Sequence, residues 1–121
     1  MKKQADIEAM VLAMPDAYKD YPFGENVAVY FVGTGTESGD KNKRHMFALI
    51  DQKSLPVRLS LKCDPQLAEL LREKYESVLP GYHLNKKHWN TIVCSGQLDD
   101  DELKDLVRHS YELVAHPTDL N

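Results

Sequence analysis

Cysteine is scarce: Cys63 and Cys94 are the only two among the 121 residues. Two are too few for a disulfide scaffold, and neither sits in a CxxC pair of the kind used for zinc or redox chemistry. Both close apolar, strand-like segments, so they read as reduced, buried thiols that behave as small hydrophobes. Long apolar runs are missing as well, and nothing approaches the roughly eighteen residues of a membrane span. The opening Met1-Lys2-Lys3-Gln4-Ala5-Asp6-Ile7-Glu8 carries neither an apolar stretch nor a cleavage site behind its lysines. A secretory signal is therefore not expected, and the expected location is the cytoplasm. A phosphate-binding glycine loop is absent, because no helix-forming segment follows Gly33-Thr34-Gly35. There is no nucleophile elbow. The step from His83 to His88 is not a helical metal-ligand spacing. The chain is thus expected to hold no cofactor and no metal, and to be no enzyme.

An overall basic excess is also absent. The net charge is −4 and the pI about 5.7, which argues against strong, indiscriminate polyanion binding. The charge is unevenly spread, however. Residues 41–96 hold 10 basic and 5 acidic residues, whereas the segments on either side are acidic. A basic middle is a footprint for an anionic partner unless the acidic ends pack alongside it.

What is present is ordinary for a folded domain: 42% hydrophobic and 28% charged residues. The length suits one domain over residues 1–121, with no internal repeat or linker. Ile7, Met10, Val11 and Met14 form a helical stripe, with Asp6 as its expected N-cap and Pro15 at its end. Tyr18 to Gly24 reads as a turn-rich connection in which Tyr21 and Phe23 plug the end of the core. Val27 to Val32 and Met46 to Ile50 are β-branched, aromatic or aliphatic, and read as strands. Gly33 to Arg44 is the loop between them. Val57 to Cys63 alternates, with Arg58, Ser60 and Lys62 on its wet face. Asp64-Pro65 is a helix start, and the stripe Leu67, Leu70, Leu71, Tyr75 and Val78 carries that helix to Pro80-Gly81. Tyr82 to Asn85 and Trp89 to Ser95 are expected strands about a Lys86-Lys87 turn. Asp99 and Glu102 open the last helix as a capping box. The order is α-β-β-β-α-β-β-α, an α+β class with an antiparallel sheet and helices packed on one face.

The most distinctive stretch is Pro80-Gly81-Tyr82-His83-Leu84-Asn85-Lys86-Lys87-His88-Trp89-Asn90-Thr91-Ile92. It contains no acid. Its lysines and amides suit phosphate contacts, and its aromatics suit stacking. Taken alone, it reads first as a hairpin turn with solvated lysines and Trp89 in the core.

Leu59 to Pro65, Pro80 to Thr91, and His109-Ser110-Tyr111-Glu112-Leu113-Val114 together resemble the MmcQ/YjbR family, as does Tyr21-Pro22-Phe23-Gly24. The resemblance spans nearly the whole chain. It implies a CyaY-like α+β fold and a bacterial protein of a group often labelled DNA-binding, from a "double wing" of hairpins. The wings would be the hairpin around Lys86-Lys87 and the 33–44 loop. The implied mechanism is phosphate-backbone binding by Lys62, Lys86, Lys87 and Arg58. His83, Asn85 and His88 would add polar reach, and Trp89 and Asn90 complete the candidate set. Two alternatives stay open. One is a small-molecule or enzyme site around Tyr82, His83, His88 and Trp89, with a histidine as general base; the other is a protein-interaction module using the open sheet face. The metal chemistry of CyaY does not transfer, because the first helix carries only Asp6 and Glu8. A monomer is expected.

Overall fold

The computed structural model describes residues 3–33 and 44–115. In chain order the elements are α1 (Gln4–Leu12), β1 (Tyr18–Asp20), β2 (Val27–Gly33), β3 (Arg44–Asp51), β4 (Arg58–Lys62), α2 (Pro65–Lys74), β5 (Val78–Pro80), β6 (Trp89–Val93) and α3 (Asp100–Ala115). The strands form one sheet of order β1-β2-β3-β4-β6-β5, with every neighbouring pair antiparallel. The expected α+β arrangement is present, with one short edge strand, β1, added inside the stretch read as a connection. Of the two expected wings, residues 34–43 lie outside the described residues.

Alternation places the core. Ala28, Tyr30 and Val32 of β2 meet Ile50, Leu59, Leu61 and Ile92 on the face covered by α1 and α3. Ile7 and Val11 of α1 and Leu103, Val107 and Val114 of α3 complete this cluster, with Leu71 and Tyr75 packed against it from the α2 side. The opposite face is not bare. Val29, Phe31, Leu49 and Trp89 form a smaller cluster there, bordered by Tyr18, Val27, Met46 and Leu84.

Polar groups lock the layers together. Ser110 on α3 is fully buried. It donates to the Phe47 carbonyl (2.5 Å) and accepts from the Lys62 amide (2.9 Å), which ties the helix to β3 and β4 at once. Asp64 caps α2 by accepting from the amides of Gln66 (3.1 Å) and Leu67 (3.2 Å). The Asp99/Glu102 capping box forms, at 2.8 and 3.2 Å.

Some boundaries differ from the sequence reading. Asp6 is not the N-cap of α1 but sits in its first turn, where its carboxylate accepts from the amide of Lys3, the N-cap (3.4 Å). α2 stops at Lys74 because Tyr75 is extended (φ −125, ψ 123), and Val78 pairs with Ile92 instead of continuing the helix. Residues 82–88 are turns rather than strand, and β5 lies earlier, at Val78–Pro80. Phe23 is 64% exposed, so it does not plug the core.

Candidate functional site

A cleft of about 340 Å³ lies on the sheet face away from the helices. Its floor is the side of β4 and β6 turned away from the helices, where Ser60, expected on a wet face, and Thr91 are buried. Ser60 and Thr91 are cross-strand partners, and their hydroxyl oxygens lie 2.8 Å apart. Leu49 and Asp51 of β3, Val27 of β2 and Arg58 of β4 extend the lining. Two loops form the rim: one carries Phe23, the other Tyr82, His83 and Leu84.

The second loop, residues 81–88, is braced from several sides. Gly81 starts it, donating to the Trp89 carbonyl (2.9 Å). A Cβ at this position would lie 2.7 Å from Trp89 Cβ, so only glycine lets the chain turn this close to β6. The Tyr82 amide donates to Thr91 Oγ1 (3.0 Å), which fixes the loop to the cleft floor. His83 holds a left-handed φ of 59, and its ring lies 4.0 Å from that of Tyr82. Asn85 turns its side chain back to accept from the Lys87 amide (2.9 Å). Arg72 on α2 clasps the base of the loop. It donates to Asn90 Oδ1 (2.7 Å), to the Trp89 carbonyl (3.2 Å) and to the Lys86 carbonyl.

The nine candidate residues therefore separate. Arg58 and His83 line the cleft. Lys86 and Lys87 line a shallower depression of about 240 Å³ beside α2, together with Gln66, Glu69 and Arg72. Lys62 is half-buried at the far end of β4, and His88 is half-buried and braces the Cys63 amide through its carbonyl (2.8 Å). Asn85 is exposed. Two expectations need correction. Trp89 is 7% exposed and belongs to the smaller core cluster, so its ring offers no stacking platform. Asn90 is 2% exposed, and its side chain is used inside the fold, accepting from Arg72 and donating to the Ala68 carbonyl (3.3 Å). The exposed ring on this loop is that of Tyr82, at 62%.

Among the described residues, Arg58, Lys62, Lys86 and Lys87 have no carboxylate within 4.0 Å, whereas Lys19 and Arg44 pair with Glu8 and Asp20. Lys86 Nζ does reach the Gly81 carbonyl (3.3 Å). No cluster of three or more His, Cys, Asp or Glu side chains among the described residues has a metal-binding arrangement. Burial pushes both thiols up to about 11, so neither is a thiolate at neutral pH. No helix of the described residues is long and apolar enough to cross a membrane.

Sequence reasoning missed three contributors. Arg72 was not singled out, because the helix that carries it was expected to run on to Pro80-Gly81. Phe23 looked like core. The Ser60–Thr91 pair becomes visible only once β4 and β6 are in register. The alternation of Val57 to Cys63, which puts Arg58, Ser60 and Lys62 on one face, was the one available signal for that floor.

These features define an α+β protein in which three helices cover one face of an antiparallel sheet and a cleft opens on the other. The YjbR family model matches residues 12–113, and the chain belongs to that family. YjbR of Escherichia coli K12 is 42% identical over 71 residues, 59% of this chain. That match spans about 60% of the length of YjbR itself. YbdF of Escherichia coli O157:H7 is 30% identical over 106 residues, covering 88% of this chain and 79% of YbdF. Among solved structures, Deinococcus radiodurans DR2400, a DUF419 domain, superposes with a TM-score of 0.84 at 38% identity, over 95% of this chain and 80% of that one. A Pseudomonas syringae protein superposes with a TM-score of 0.71 at 26% identity, over 94% and 99% of the two chains.

Proposed function

We propose that the protein is a non-catalytic nucleic-acid-binding protein whose contact surface is the 81–88 loop and the adjoining wet face of β4. The observation that carries this reading is the loop itself. From Tyr82 to His88 it contains no acid and is mostly exposed, and neither of its lysines is neutralised by a described carboxylate. In this reading Lys86 and Lys87 hold phosphates on one flank of the loop, and Arg58 and His83 face the strand on the other. Lys62 adds charge at the end of β4. Asn85 and His88 shape the loop more than they reach out, and Trp89 and Asn90 support it from beneath.

Contacts of this kind position a polymer without reading its sequence. The net charge of −4 keeps the affinity modest. The test is a titration of single-stranded and duplex DNA at 50 and 200 mM salt. Binding should weaken steeply with salt, and Lys86→Ala/Lys87→Ala should lower the slope of log K against log salt by about 2. Absence of binding at the lower salt, or an unchanged slope in the double variant, overturns the reading.

A further inference from the structure

We propose that the cleft on the open sheet face is a pocket for one flat heteroaromatic ring, the base of a nucleotide, held between Phe23 and Tyr82. The ring belongs either to a free nucleotide or to an unpaired base of a strand. In the second form the proposal rests on the nucleic-acid reading above and deepens it.

Shape comes first. At about 340 Å³ the cleft is at the lower end of small-molecule pockets, room for one ring system and not for a helix or a duplex edge. Its rim carries two large aromatic side chains on separate loops, Phe23 and Tyr82, 64% and 62% exposed. Exposed rings flanking a hollow gain by covering the faces of a third ring, and every base has such a face. Tyr82 is not free to drift, because its amide is fixed to Thr91 on the floor (3.0 Å).

The edge chemistry narrows the class further. Asp51 and Arg58 are cross-strand partners of β3 and β4, and both line the cleft. They are not ion-paired with each other, and the Arg58 guanidinium has no partner among the described residues. The Asp51 Oδ1 is held by the Lys53 amide (3.0 Å), which leaves Oδ2 to accept. A carboxylate acceptor beside a guanidinium donor matches a ring edge that presents N–H and C=O or ring nitrogen side by side. A hydrocarbon ligand would leave both charges unmatched, and a bare phosphate or a small aliphatic zwitterion would use neither ring.

The experiment is calorimetric titration of the full chain with guanosine and adenosine 5′-monophosphates, ribose 5-phosphate and an eight-nucleotide single strand. The variants are Tyr82→Ala, Phe23→Ala, Tyr82→Phe and Lys86→Ala/Lys87→Ala. Both rings are largely exposed, so these variants should retain the fold, as circular dichroism would verify. A nucleotide should bind and ribose 5-phosphate should not. Tyr82→Ala and Phe23→Ala should each weaken nucleotide binding by about fivefold or more, and Tyr82→Phe should restore it. Equal binding of ribose 5-phosphate, unchanged affinity in the ring variants, or no saturation by any nucleotide or strand overturns the pocket. Strand binding that is lost in the lysine variant but untouched by Tyr82→Ala, with no Tyr82-dependent nucleotide binding beside it, also overturns the pocket, while leaving the phosphate reading intact. Tyr82-dependent nucleotide binding without strand binding supports the pocket with a free nucleotide as its ligand, and removes the nucleic-acid reading.

Discussion

Tyr30 is fully buried beneath α1, and its hydroxyl donates to Glu8 Oε2 over 2.5 Å. This bond, with Lys19 at 3.0 Å adding to it, holds the Glu8 carboxyl below its usual value. A lowered carboxyl pKa contributes stability that is complete above the unfolded value of 4.5 and is lost as pH falls through the folded value. Burial, and then the Glu8 bond, raises the Tyr30 hydroxyl well above 10.0, so its share persists up to about that pH and declines beyond it. Tyr30→Phe should therefore cost about 1–2 kcal/mol at neutral pH. The gap to the parent protein should narrow below pH 4.5, as urea denaturation at several pH values would show. The cysteines behave as their apolar neighbours imply. With both thiols pushed up to about 11 and buried, Cys63 and Cys94 should react with a thiol reagent at pH 8 only as fast as the protein unfolds. Rapid labelling of the native protein would contradict their placement.

Among the elements, α2 and the 81–88 loop are joined by one side chain. Removing Arg72 strands the Asn90 amide oxygen and leaves the Lys86 carbonyl without its donor, while the Trp89 carbonyl keeps only the Gly81 amide. Arg72→Ala is expected to cost about 2–3 kcal/mol, measured as a shift of the urea midpoint. Gly81→Ala is expected to cost about 1–3 kcal/mol, because its Cβ would meet the backbone and Cβ of Trp89. NMR shifts should spread through residues 82–88 in that variant, and an unshifted loop would disprove the close approach. The starts of α2 and α3 were plain in the sequence because Asp64-Pro65 and Asp99/Glu102 act through local hydrogen bonds, whereas Asp6 lies within the first turn of α1. The end of α2 was not plain. Tyr75 and Val78 fit a helical stripe, but pairing of Val78 with Ile92 is non-local and prevails. The same limit hid β1, three residues whose ladder among the described residues is with Phe31, Tyr30 and Val29.

For the molecule as a whole, the two apolar clusters sit on opposite faces of the same sheet, so they should melt together. Trp89 reports on the smaller cluster and far-ultraviolet dichroism on the helices over the larger one. The two signals should give coincident urea midpoints, and separated midpoints would show that the faces are independently stable. The face assignments of β4 were legible from its alternation. The site was legible only in part, since composition marked the 81–88 loop but could not say that Trp89 turns inward and Tyr82 outward. That choice depends on the tight turn at Gly81. The sheet's margins carry a last consequence. β1 and β5 are three residues each, and β5 ends in Pro80, which has no amide to donate. Another copy thus finds little ladder to extend, and the protein is guarded against growing into fibres by lateral strand addition.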